Sequence, residues 1–124
     1  MIPDSKPTVD QVFAMMRKAM GFIPSAIEKA TEVDEGLLYE HLHSRAYAMP
    51  QDGALDEETR TLIYLASALA ASSTACIHAM ANKAKTQGIA PEKLLETVRI
   101  VRFALATKVI GDGEPVFEVL LGSK

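Results

Sequence analysis

Apolar positions along this chain recur with the period of a helix almost everywhere. Val9, Phe13, Met16 and Met20 fall on one stripe. They follow Thr8-Val9-Asp10-Gln11, which has the form of a capping box. Gly21 and Pro24 end that helix, and 25–33 is compatible with a short second one. Asp34 is placed to cap a third helix to about Met49, with Leu37, Leu38, Leu42 and Tyr47 inward. The turn cluster Pro50-Gln51-Asp52-Gly53 separates it from a central helix capped by Asp56. In the central helix Leu62, Ile63, Leu65, Ala66, Ala68, Leu69 and Ala70 cover most sides, the pattern of a helix surrounded by protein. Ser72, Ser73 or Thr74 caps the next helix, which reaches about Gln87 and stops at Gly88. Pro91 opens a long helix to about Ile110, where Leu94, Leu95, Val98, Val101, Leu105 and Val109 trace one face. Gly111-Asp112-Gly113 closes it, and 114–121 is compatible with a short last helix. No stretch alternates with period two for long enough to read as a strand. The pattern predicts an all-α bundle of about six helices, in a single domain over residues 1–124.

Composition narrows the function classes. The chain has 124 residues, 48% hydrophobic and 23% charged, enough for one core and ordinary for a globular domain. The net charge is −3 and the two signs are interspersed, so no basic stripe is available to neutralise nucleic-acid phosphates. The first residues, Met1 to Pro7, lack the apolar core of a signal peptide. The longest apolar run, Leu62 to Ala71, is about half of the roughly 20 residues that span a bilayer, so no membrane partner is expected. Cys76 is the one cysteine, which allows neither an intrachain disulfide nor a thiolate zinc cage and fits a reducing, cytoplasmic compartment. His41 and His43 diverge on a helix, so no metal site is expected there, and Glu40, His41 and Arg45 are assigned to a solvated face.

The segment 55–96 resembles the core of the carboxymuconolactone decarboxylase family, which includes the alkylhydroperoxidase-like (AhpD-like) proteins. The resemblance rests on the acidic helix start Leu55-Asp56-Glu57-Glu58-Thr59-Arg60 and the apolar Leu62-Ile63-Tyr64-Leu65-Ala66-Ser67. It continues through the polar break and thiol-bearing helix, Ser72-Ser73-Thr74-Ala75-Cys76-Ile77-His78, then Ala81, Ala84 and Gly88. The Glu-bearing start Gly88-Ile89-Ala90-Pro91-Glu92-Lys93-Leu94-Leu95-Glu96 completes it. The resemblance implies a small helical bundle that assembles with itself, as a homotrimer or homohexamer, and acts without a cofactor. In the AhpD-like branch it implies thiol peroxidase chemistry, in which a thiolate attacks a peroxide and a second thiol resolves the sulfenic acid.

Laid on this chain, the second cysteine of that branch's motif falls on Cys76 and the first on Ser73. The downstream His falls on Met80, the upstream Glu on Thr61, and the His preceding the second cysteine on Ala75. With one thiol, a two-cysteine cycle within the chain is excluded, leaving a one-cysteine cycle with an outside thiol as reductant. Cys76 and His78 are the candidate catalytic residues; Thr61, Ser73 and Met80 are the candidate pocket lining. If Ser72 or Ser73 caps the helix, Cys76 lies in its first turn, where the dipole modestly favours a thiolate. Residues two apart diverge by about 200° on a helix, so His78 serves Cys76 only through a distorted helix start or across a subunit boundary. Ser73, Cys76 and Met80 share a face at spacings of three and four. Glu58, one turn before Thr61, is within helical reach of the same pocket. Tyr64, Ile77 and Met80 are candidates to face a partner subunit. Two further readings stay open. One is a non-catalytic oligomeric module binding a small molecule. The other is a lactone-type decarboxylase, which the chain resembles in Glu96, while it departs from that branch in having Met80 at a position usually held by His and only a displaced Gly113-Glu114-Pro115 for the Gly-x-Pro after the last long helix.

Overall fold

The computed structural model describes residues 6–122. The segment 1–5, part of the stretch read above for a signal peptide, lies outside the described residues. Seven helices follow in order: α1 Val9–Met20, α2 Ser25–Val33, α3 Glu35–Ala48, α4 Glu57–Ala70, α5 Thr74–Thr86, α6 Pro91–Asp112 and α7 Glu114–Gly122. There is no strand among the described residues. No helix among them is long and apolar enough to cross a membrane.

Local chemistry sets the helix ends. At α1 the Gln11 amide N–H donates to Thr8 Oγ1 at 3.1 Å, while the Thr8 N–H donates to Gln11 Oε1 at 2.8 Å, a closed capping box. Asp34 accepts from the Gly36 N–H at 2.9 Å and Asp56 from the Thr59 N–H at 2.7 Å, starting α3 and α4. The thiol-bearing α5 starts at Ser73, but that hydroxyl makes no capping hydrogen bond. α5 ends in a Schellman turn. Gly88 takes φ +71°, its N–H donates to Lys85 O, and the N–H of buried Ile89 donates to Ala84 O. α4 ends in the same way, with Ser72 at φ +58° in the position glycine usually holds.

α4 is the hub, flanked by α5 and α6, with α1 packed on α5 and α2 paired with α3. Leu65, Ala79 and Met80 form the centre of the core, surrounded by Met20, Phe22, Tyr64, Leu69, Ile77 and Leu94. Buried Ala68, Ala79 and Ala84 lie on the facing helices α4 and α5, where small side chains let the two backbones approach. The α2–α3 hairpin is tied down at its edge, where the Tyr39 hydroxyl donates to Pro7 O at 2.7 Å and Lys6 lies over the Tyr39 ring.

The long helix departs from its sequence pattern. α6 continues through Gly111 to Asp112, and α7 begins directly after Gly113. Of the stripe expected to face inward, Leu94 and Val101 are half-buried, whereas Leu95, Val98, Leu105 and Val109 are exposed. Ile100, Phe103 and Ile110 of α6 and Val116, Leu120 and Leu121 of α7 are exposed as well. Apolar residues thus occur around α6 on more sides than α4 alone can cover.

Candidate functional site

Cys76 is the third residue of α5 and is half-buried. It lines a cleft of about 290 Å³ between α3, α4, α5 and the Met20–Pro24 turn. The Tyr64 hydroxyl, reaching from α4, lies 3.5 Å from Cys76 Sγ. That hydrogen bond, with burial second, pushes the Tyr64 phenol up to about 12; nearby Arg45 acts in the opposite direction. Tyr64 therefore keeps its proton at neutral pH and can donate to sulfur or to an oxygen bound beside it.

The five residues singled out from the sequence separate in space. Cys76 and Met80 line the cleft together, and Met80 is only 7% exposed, filling the core beneath it. Met80 thus packs within its own chain instead of facing a partner, and Tyr64 and Ile77 pack against the same cluster. Ser73 is half-buried at the helix start and does not line the cleft. His78 is exposed on another side of α5, as the 200° rotation requires, and does not reach the thiol. Thr61 is 3% exposed and donates to Gln87 Oε1 at 2.8 Å, away from the cleft. Gln87 passes this contact on by donating from Nε2 to Glu57 Oε2 at 3.4 Å. Glu58 turns to Lys93, 2.7 Å away, and not to the pocket. Glu96 is exposed on α6.

The helical spacing assigns His41 and Arg45 to a solvated face. Both are exposed, yet both line the mouth of the Cys76 cleft. With Ser44 and Ala48 they form a stripe at spacings of three and four on α3, a signal available in the sequence. The stripe is too polar to stand out as core, and nothing local to α3 says that it faces α5. Among the described residues no three His, Cys, Asp or Glu side chains gather as a metal site would require.

A small helical protein whose thiol opens into a cleft between its central helices is the class these features define. The model of the carboxymuconolactone decarboxylase family matches residues 37–113, from α3 through α6, and the chain belongs to that family. No curated protein matches the chain.

Proposed function

We propose that the protein is a thiol-dependent peroxidase working through Cys76 alone, with an external small thiol as reductant. The observation that carries this reading is the half-buried Cys76 Sγ opening into a cleft, with the Tyr64 hydroxyl at 3.5 Å. The thiolate attacks one peroxide oxygen; an S–O bond forms, the O–O bond breaks, and the leaving alkoxide takes a proton from water in the open cleft. The sulfenic acid then condenses with one external thiol, releasing water. A second external thiol attacks the mixed disulfide, freeing Cys76 as the disulfide of two external thiols leaves. Tyr64 supplies a hydrogen bond to the sulfur and to the oxygen placed on it. The test is alkylation of the native protein and mass spectrometry after dilute peroxide. Rapid sulfenic acid formation at Cys76, lost in Cys76→Ser, is expected; a thiol that reacts only after denaturation would overturn the reading.

One observation favours the non-catalytic alternative, a family member that binds a small molecule. The position corresponding to the family's proton-relaying His is Met80, buried in the core. Among the described residues, the only side chain hydrogen-bonded to Cys76 is a phenol. Under that reading the cleft still binds ligand, while Cys76→Ser leaves binding unchanged.

In either case we propose that the working form is a homo-oligomer assembled through the apolar faces of α6 and α7. Phe103, Val109, Ile110, Leu120 and Leu121 on these helices are each at least 65% exposed, apolar surface that a partner would cover.

A further inference from the structure

A second cleft, of about 590 Å³, lies beside the thiol cleft and shares Arg45 and Met49 with it. Three cations from three different helices line it: Arg45 of α3, Arg60 of α4 and Lys83 of α5. None of the three side chains forms an ion pair or hydrogen bond with another side chain among the described residues. The two carboxylates beside them keep their charge, Asp56 near Arg60 and Glu57 near Lys83, and each also accepts a hydrogen bond from a neutral donor. Asp56 accepts from the Thr59 N–H at 2.7 Å, and Glu57 accepts from Gln87 at 3.4 Å. The lining therefore carries one more positive than negative charge. Lys83 is half-buried there, and its ammonium is pushed down by burial first and by Arg45 second, while Glu57 opposes the shift. Arg45 and Lys83 act on each other as like charges, Arg60 lines the same cleft from α4, and a net positive concave lining raises the local affinity for an anion. The Arg60 guanidinium lies where a Cβ on Gly53 would sit, so glycine at 53 leaves that guanidinium room against the loop.

We propose that Arg45, Arg60 and Lys83 form a binding site for the oxyanion group of a small molecule, a carboxylate or a phosphate. Two guanidinium groups supply planar pairs of donors suited to such oxygens, and the ammonium adds a compact third charge. Because the adjoining cleft is walled by Met20, Pro24, Ala48 and Tyr64, the ligand's body is expected to be apolar or weakly polar. The site stands on its own charges and does not depend on the thiol chemistry.

The test is calorimetric titration of the whole protein at fixed ionic strength, with inorganic phosphate in one arm and succinate in the other. Saturable binding of one anion per chain is expected in at least one arm, which also tells phosphate from carboxylate preference. Arg60→Gln and Lys83→Gln should each weaken binding about tenfold, the loss of one charge-assisted hydrogen bond. Gly53→Ala should weaken it with every charge retained, by displacing Arg60. Circular dichroism establishes that each variant is folded. Absence of saturable binding in both arms, or undiminished binding in a folded Arg60→Gln/Lys83→Gln double variant, would overturn the proposal. Either result leaves the peroxide assay of Cys76 unaffected, so the two readings fail separately.

Discussion

The phenol of Tyr64 is the residue on which the chemistry of the cleft is best probed. Its rise to about 12 has the Cys76 hydrogen bond as first cause, and an ordinary tyrosine titrates at 10.0. The chain has three tyrosines. Ultraviolet titration should show one of them ionising late, and that transition should vanish in Tyr64→Phe. In Cys76→Ala it should move down toward the ordinary value, because the largest cause is removed. The linked stability follows in sign: a pKa higher in the folded chain than in the unfolded one gives stabilisation that is complete below pH 10. That stabilisation is lost as pH rises through about 12. Tyr64→Phe should remove this alkaline dependence and slow sulfenic acid formation by about tenfold, the range of one hydrogen bond to a charged group. In the sequence Tyr64 is legible as an apolar residue of the central helix and as a candidate to face a partner subunit, but not as a neighbour of the thiol. Its pairing with Cys76 joins two helices across a sharp turn, and helical periodicity says nothing about which partner a side chain meets.

Helix ends were the most legible features, because caps depend on residues within four positions of each other. Thr8, Asp34, Asp56 and Gly88 do what their sequence context predicts. The turn after α4 holds a surprise of the same local kind. Ser72 adopts a left-handed backbone, φ +58°, so that Ser72 N–H and Ser73 N–H close the end of α4 on Leu69 O and Ala68 O. A residue with a Cβ is disfavoured in that region by about 1–2 kcal/mol, whereas glycine is not. Part of the gain is offset by the extra freedom of glycine in the unfolded chain. Ser72→Gly should therefore stabilise the protein by about 0.5–1 kcal/mol in urea unfolding, with an unchanged denaturant slope. At α1, Thr8→Ala opens the capping box and should cost about 1 kcal/mol in the same measurement. What the sequence left hidden at this scale is the orientation of α6. Its stripe was read as facing one core, but α4 covers only part of it, and no local signal separates an intrachain partner from an external one.

The whole molecule then raises the question of what covers the rest. α4 is flanked within the chain by α5 and α6, which bury Thr61, Leu65 and Ala68 while Ile63 stays 50% exposed. The apolar demand is greater at α6 and α7, where Phe103 is 72% exposed and Leu120 and Leu121 are each 69% exposed. So many exposed large apolar side chains on two consecutive helices point to an interaction surface. A membrane-lying role would need a basic polar face beside the apolar one. α7 carries Glu114 and Glu118 and no basic residue, and on α6 Lys93, Arg99, Arg102 and Lys108 are interspersed with Glu92, Glu96 and Asp112, so neither helix presents a face of one basic sign. Self-association is thus the occupant that the charge pattern favours. Sedimentation equilibrium should give a multiple of 13.4 kDa. Phe103→Asp and Leu120→Asp should each shift the mass toward that of one chain, since a charge in a dry interface is costly. Both substitutions sit on surfaces that the isolated chain exposes, so helical circular dichroism should persist while assembly is lost. A wild-type protein that sediments at 13.4 kDa would show that α6 and α7 meet a different partner.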